Sequence, residues 1–346
     1  IIDIKKSKNI FADSEELKMR VIGIKNKKVN EITKRIPADV GIYYYFNNDR
    51  IVYLNFTLNL KESVQKHFKN RDNEDFSQII NKSNRIGFIQ TDTLFEALLL
   101  KKFDEDRYNF NRNNRYKRWE NYAYLAINFL KPPYLSLQED TNKEFFYIGP
   151  FLDRFLIMDT IYSFADLIKT PACPSKKYPC ERLNEKKCPG YCINDLKEKM
   201  FDLVEDNIII PNPNLIKTKN DNYNKLMDNL DFNAADFLNK RLKKIKEYYN
   251  KLRFYYVTKS LSVNISHSNF QVKIENGLIS QISYDDEKIK IKLPIINYRE
   301  NETLAVNKRE LEERWIIYEY LRSKDASLIR ETFEKQKNIF KKKLEA

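Results

Sequence analysis

The chain has 346 residues, room for roughly two to three domains with cores of their own. Lys and Arg number 62 against 49 Asp and Glu, and the resulting +13 favours a polyanionic partner over a neutral one. Apolar residues at 42% argue against disorder, no run reaches the roughly 18 uncharged apolar residues of a membrane span, and with no export signal the expected location is the cytoplasm.

Six Gly, with no G-x-G-x-x-G or G-x-x-x-x-G-K, leave no phosphate cradle for a nucleotide cofactor. The two histidines, His67 and His267, leave chemistry to Tyr, carboxylates, Lys and Cys. Residues 1–36 read as a charged linker or extension, within which Glu15 to Ile24 suits a strand or a short helix, and which opens on Ile1 rather than Met, as in a portion of a longer protein.

From Pro37 the pattern turns structured. Val40 to Phe46 and Ile51 to Asn55 are β-rich and flank Asn47-Asn48-Asp49, a hairpin signal. Leu60, Val64 and Phe68 repeat every four residues, which predicts an amphipathic helix. A strand at Arg85 to Gln90 and a helix from Thr93 to Phe103 complete a ββαβα unit within 37–115. Arg107, Arg112, Arg115, Lys117 and Arg118 then alternate with Tyr108, Phe110 and Tyr116. Guanidinium groups pair with phosphates and aromatic faces stack on bases, so this strip is the candidate DNA contact; a solvated loop is its ordinary alternative.

Ala123 to Phe129, Leu135 to Leu137 and Phe146 to Phe151 resemble strands, and Arg154 to Ile168 an apolar helix. All four cysteines then fall in one window of 116–200: Cys173, Cys180, Cys188 and Cys192, spaced C-x6-C-x7-C-x3-C. Scattered core thiols do not cluster this way, and in a reducing compartment the spacing points to a four-thiolate metal centre, zinc or iron-sulfur. Within 201–256, Asn220 to Tyr256 reads as a helical hairpin turning near Leu230 to Asn233, with a basic second arm. The last part, 257–346, is expected to be a small β/α module, with strand alternation from Phe254 to Leu293, an Asn276-Gly277 turn, and helices at Arg309 to Arg322 and Ser327 to Leu344.

Gly41-Ile42-Tyr43, followed after ten residues by Tyr53-Leu54-Asn55, resembles the two signature strands of the GIY-YIG nucleases, in particular the N-terminal half of the UvrC excision nuclease and its relative Cho. Glu96 to Leu100 is similar to that family's EALLLE segment, Tyr108-Asn109 to its terminal YN, and Tyr147 to Phe151 to its YFGPF element. Leu230 to Ala235 resembles a UVR-type hairpin. The resemblance implies an α+β fold with a small GIY-YIG-like domain, a cysteine metal-cluster segment, a UVR-like hairpin and a C-terminal β/α module. It implies a four-iron, four-sulfur cluster rather than zinc, DNA as partner, a UvrB-like helicase at 220–256, and, upstream of residue 1, a DnaQ-type exonuclease in some fusions.

By the same resemblance, Tyr43, Tyr53, His67 and Asn109 take the catalytic positions. Other positions depart from the pattern. Ser63 stands where the family has its phosphate-stabilising Arg, Phe56 replaces a Lys, Asn55 replaces the YIG glycine, and Lys101 replaces the metal-binding Glu. An ammonium cannot ligate Mg2+ or Mn2+, which enter only if the nuclease works. The expectation is a DNA-binding protein of the excision-repair type with weak or no phosphodiester hydrolysis; an active structure-specific endonuclease and a non-catalytic recruiting subunit are the alternatives.

Overall fold

The computed structural model describes residues 19–70, 73–107, 121–173, 178–267, 270–284, 287–290 and 303–344. Its first layer is an antiparallel sheet ordered β1-β4-β2-β3, from β1 (Arg20–Gly23), β2 (Gly41–Asn47), β3 (Arg50–Thr57) and β4 (Arg85–Gln90). Part of the expected linker is therefore sheet: Arg20 to Gly23 pair with Phe88 to Arg85 along the β4 edge.

β2 is buried along almost its whole length because both of its faces are covered. Ile42, Tyr44 and Phe46 face a core shared with α4 (Leu94–Arg107) through Phe95, Leu99 and Leu100. Tyr43 and Tyr45 point the other way, against Leu60, Val64 and Phe68 of α2 (Leu60–Lys69). On that second side lie α1 (Val29–Thr33) and α3 (Glu74–Asn81), both unforeseen from sequence. Strand alternation thus sends neighbouring tyrosines to opposite sides of one sheet.

The residue at position 41 must lack a side chain. A Cβ there would come within 2.2 Å of the Ile89 carbonyl oxygen and 2.9 Å of Leu60 Cδ1. Gly41→Ala is expected to cost about 1 to 3 kcal/mol by forcing β2 and β4 apart, seen as a lower urea midpoint with unchanged slope.

A second sheet runs β12-β7-β5-β6, from β5 (Ala123–Ile127), β6 (Leu135–Gln138), β7 (Phe146–Phe151) and β12 (Leu304–Ala305). Gly149 adopts φ +125 in β7, and its carbonyl accepts from Val306 N at 2.9 Å, which holds the parallel β12 beside it. α5 (Arg154–Ile168), capped by Asp153, packs on α9 (Phe232–Ser260). Between them the chain forms α6 (Glu181–Asn184), α7 (Lys197–Val204) and a π-helical turn, Glu205–Ile209. A π turn leaves carbonyls without their usual partners. Here tyrosine hydroxyls of α9 donate to them: Tyr249 to Asn207 O at 2.9 Å, Tyr248 to Ile208 O at 2.7 Å and Tyr256 to Ile209 O at 3.1 Å.

α8 (Pro213–Asp228) and α9 form the helical hairpin, with Leu230 at φ +59 in the turn and Asp231 Oδ1 accepting from Ala234 N. The expected strand start at Phe254 is corrected: Phe254 to Ser260 are the last turns of α9. Phe254, Tyr255, Tyr256 and Val257 are all buried, because α9 is there enclosed by α10 (Leu311–Lys324), α11 (Ala326–Leu344), β7 and β12. A helix covered all round shows no amphipathic period. The third sheet, ordered β11-β10-β9-β8, follows: β8 (Val263–His267), β9 (Phe270–Glu275), β10 (Leu278–Tyr284) and β11 (Glu287–Lys290), with Asn276-Gly277 at the expected turn.

The expected cysteine metal-cluster segment is also corrected. Among the described residues no group of three or more His, Cys, Asp or Glu is arranged to hold a metal ion, against both the iron-sulfur and the zinc expectation. All four thiols are free. Cys173, Cys188 and Cys192 pack against the main core, and burial pushes the Cys173 thiol up to about 11 and the Cys192 thiol up from its usual range. Held neutral, Cys173 and Cys192 behave as small apolar side chains. The segment is tied down by protein contacts instead: Asp166 of α5 meets Arg182 of α6 at 3.5 Å and Arg241 of α9 at 2.8 Å.

Candidate functional site

Tyr43, Tyr53 and His67 come together on the α2 side of the first sheet. Tyr43 and His67 are brought close because β2 and α2 cross with Tyr43 and His67 both inward; Tyr43 Oη lies 3.3 Å from His67 Nε2, hydrogen-bonded to it. The ring of Tyr53 sits 6.1 Å from Tyr43 and 5.6 Å from His67, and Asn55 Nδ2 donates to Tyr53 Oη at 3.0 Å. Two residues that the sequence reading did not place here complete an aromatic box. Tyr45 stacks on one face of the imidazole at 5.5 Å, and Phe76 of α3 stacks at 4.2 Å. Both left a signal. Tyr45 follows Tyr43 by two, which a strand puts on one face, and Asn73 before Glu74-Asp75 is a helix-start pattern whose Oδ1 accepts from Asp75 N and Phe76 N.

The box is largely buried and poor in charge. Burial pushes Tyr43 and Tyr45 far above the usual phenol range, with the neighbouring Tyr53 adding to it, and lowers His67 to about 4. At neutral pH Tyr43 and Tyr45 are therefore neutral phenols and His67 a neutral imidazole. His67 Nδ1 and Tyr45 Oη are buried without a hydrogen-bond partner.

The positions that depart from the resemblance lie elsewhere. Ser63 Oγ is 2.6 Å from Thr57 Oγ1, a hydroxyl pair that closes the β3-to-α2 turn together with the Asn59 cap. Lys101 is on α4, across the sheet from the box. Its ammonium is 2.9 Å from the Glu105 carboxylate and 3.9 Å from Glu312 of α10. The acids beside it are engaged too: Asp104 accepts from the Tyr44 hydroxyl, and Glu96 Oε2 accepts from Asp92 N at 3.1 Å while its own N–H donates to Thr93 Oγ1. Glu96 is a capping residue of α4. Arg107 is the last residue of α4, whereas Asn109, Arg112, Arg115, Lys117 and Arg118 lie outside the described residues.

Comparison with known proteins gives one consistent likeness. The chain is 28% identical over 172 residues to UvrABC system protein C of Methanococcus maripaludis, covering 48% of this chain and 32% of that protein. The namesake from Levilactobacillus brevis is 26% identical over 170 residues (48% and 28%), and that of Caldicellulosiruptor saccharolyticus 22% over 242 (66% and 41%). The chain is a distant homologue of UvrC. It spans less than half the length of the curated relatives it matches. No family profile and no solved structure matches it. The described chain is a mixed α+β fold compatible with that likeness. No helix is long and apolar enough to cross a membrane among the described residues.

Proposed function

We propose that the chain is a DNA-binding protein of the UvrC type whose GIY-YIG-like domain has lost most of its hydrolytic power. The pairing of Lys101 with Glu105 carries this reading. Cleaving a phosphodiester in this superfamily calls for a divalent cation held by a carboxylate, a base, and a cation against the developing phosphorane charge. Lys101 brings an ammonium where the carboxylate is needed and spends it on an internal ion pair. Ser63 brings a hydroxyl, bonded to Thr57, where the guanidinium is needed. Losing one group of that kind costs on the order of 3 kcal/mol of transition-state stabilisation, and losing two leaves little hydrolysis.

The strip from Arg107 to Arg118 is the proposed DNA contact, and the α8–α9 hairpin the proposed partner contact, with a UvrB-like helicase as the partner suggested by the resemblance. Met227, Leu230, Phe232 and Phe237 are exposed around its tip, a surface suited to a protein rather than to phosphates.

Supercoiled plasmid incubated with the protein and Mg2+ or Mn2+ is expected to stay supercoiled while the same plasmid is bound at low salt. Metal-dependent nicking that disappears in Tyr43→Phe would overturn the proposal and restore a working endonuclease. Failure to bind DNA at low salt would leave the recruiting subunit as the surviving alternative.

A further inference from the structure

Two stretches of the described chain are strongly basic, and the fold uses them differently. On α9, Lys240 pairs with Asp236, Arg241 with Asp166 and Lys244 with Asp159, while Lys251 and Arg253 lie over the Trp315 and Phe333 rings. That charge is spent on the protein itself. From Met19 to Ile36 the chain carries Arg20, Lys25, Lys27, Lys28, Lys34 and Arg35 against a single acid, Glu31. All six basic residues are exposed. Lys25, Lys27, Lys28, Lys34 and Arg35 form no ion pair among the described residues. Glu31 stands three residues before Lys34 and four before Arg35, the spacings at which helical ion pairs form, and it pairs with neither.

The backbone beneath these charges is fixed. Ile24 N donates to Asn84 O at 3.0 Å, and Lys27 N closes a turn on Ile24 O at 3.4 Å with Asn26 at φ 60. Gln65 Nε2 of α2 donates to Thr33 Oγ1 of α1 at 3.4 Å. Ile22, Ile24, Ile32 and Ile36 are buried in the same cluster as Tyr43 and Tyr45, so the layer that contains the aromatic box also carries the lysines. Like charges gathered on a fixed frame repel one another, and a polyanion relieves that repulsion. No aromatic residue occurs between Met19 and Ile36, so the segment cannot stack bases as a single-strand platform does. It offers charge to phosphate oxygens instead.

We infer that the β1–α1 segment is a second DNA contact, one that holds backbone phosphates of a duplex beside the candidate site without reading sequence. Lys25, Lys27 and Lys28 stand before α1, and Lys34 and Arg35 follow it. A helix of that length spans about 7.5 Å, so the two groups meet different phosphates. This rests on the DNA-binding reading above and extends it to a segment outside the 37–115 unit.

The test is the salt dependence of binding to a short random-sequence DNA duplex, measured with the full chain from about 50 to 200 mM salt. Lys25→Gln/Lys27→Gln/Lys28→Gln is expected to lower the slope of log K against log salt by about two to three, close to one for each lost phosphate contact. Arginine at the same three positions is expected to keep the wild-type slope. A control of equal charge on α11, Arg330→Gln/Lys335→Gln/Lys342→Gln, is expected to leave it unchanged. Coincident thermal unfolding checks that the fold is kept; should the first variant unfold early, Lys34→Gln/Arg35→Gln replaces it, with an expected fall of about two. An unaltered slope in the glutamine variant, or an equal fall in the control, overturns the inference while the DNA-binding reading stands. Wild-type protein that does not bind the duplex at all overturns the reading itself, and this inference with it.

Discussion

Glu96→Gln and His67→Phe are expected to tilt the stability of the protein against pH in opposite directions, each by roughly 3 kcal/mol relative to wild type, in which these two contributions nearly cancel between about pH 4.5 and 6.5. Both side chains are only 5% exposed. Burial raises Glu96 from 4.5 to about 7, with the neighbouring Asp92 charge acting in the same sense. Burial lowers His67 from 6.5 to about 4.

The signs follow from which state binds the proton more tightly. Folded Glu96 binds it more tightly than the unfolded chain does. Its contribution is full below pH 4.5 and lost as pH rises through about 7. Folded His67 binds its proton less tightly. Its contribution is full above pH 6.5 and lost as pH falls through about 4. Over the shared window one contribution grows while the other shrinks. Removing Glu96 exposes the histidine limb, so stability rises with pH up to about 6.5. Removing His67 exposes the glutamate limb, so stability falls with pH up to about 7. Gln retains the capping acceptor for Asp92 N, and Phe retains the stack between Tyr45 and Phe76, so neither substitution removes the local packing. Urea unfolding at stepped pH reads the difference between each variant and wild type, in which all other titrating groups cancel. Parallel curves for both variants and the wild type would mean that water reaches these two sites and that neither proton affinity is displaced.

The same pair shows what sequence can and cannot disclose. Tyr43, Tyr53 and His67 are found together from spacing and resemblance because strand and helix periods place them on one side of a sheet, and periodicity is a local property. That Lys101 lies on the other side, engaged with an acid from α10, depends on a contact between residues more than 200 positions apart. No local pattern carries that. The Asn276-Gly277 turn was legible for the opposite reason: its positive φ values are a demand made on the two residues themselves. The stretch from Phe254 to Val257 was misread as the start of a strand because β propensity reports how a side chain packs, and here these residues pack into a wholly enclosed helix. The cysteines were misread because clustering along the chain was taken as coordination, whereas no group among the described residues is arranged to hold a metal ion and burial keeps the Cys173 thiol protonated.

Arg314→Met is expected to be the most destabilising single change outside the aromatic box, at about 3 to 5 kcal/mol. The Arg314 side chain is 3% exposed and reaches three neighbouring segments at once. Nη2 donates to Glu310 Oε2 at 3.0 Å, and Nη1 donates to Asn276 O at 2.7 Å and to the Thr258 carbonyl near the end of α9. It thereby joins α9, the β9–β10 turn and the start of α10. The turn fits only because Gly277 has no side chain, since a Cβ there would fall 1.8 Å from Thr258 O and 2.6 Å from Arg314 Nη1. Methionine fills similar volume but leaves a buried carboxylate without its cation and two carbonyls without donors. The cost is mostly that of the abandoned partners, so Arg314→Met/Glu310→Met should recover a large part of it. A urea midpoint no better in the double variant than in the single would show instead that the guanidinium's bonds to the two carbonyls dominate. The consequence reaches the candidate site by way of α10, which sets Tyr320 against Phe95 at 4.1 Å and Glu312 near Lys101. Loosening α10 should free the outer face of α4 while leaving Tyr43, Tyr45, Tyr53 and His67 packed on the opposite side of the sheet.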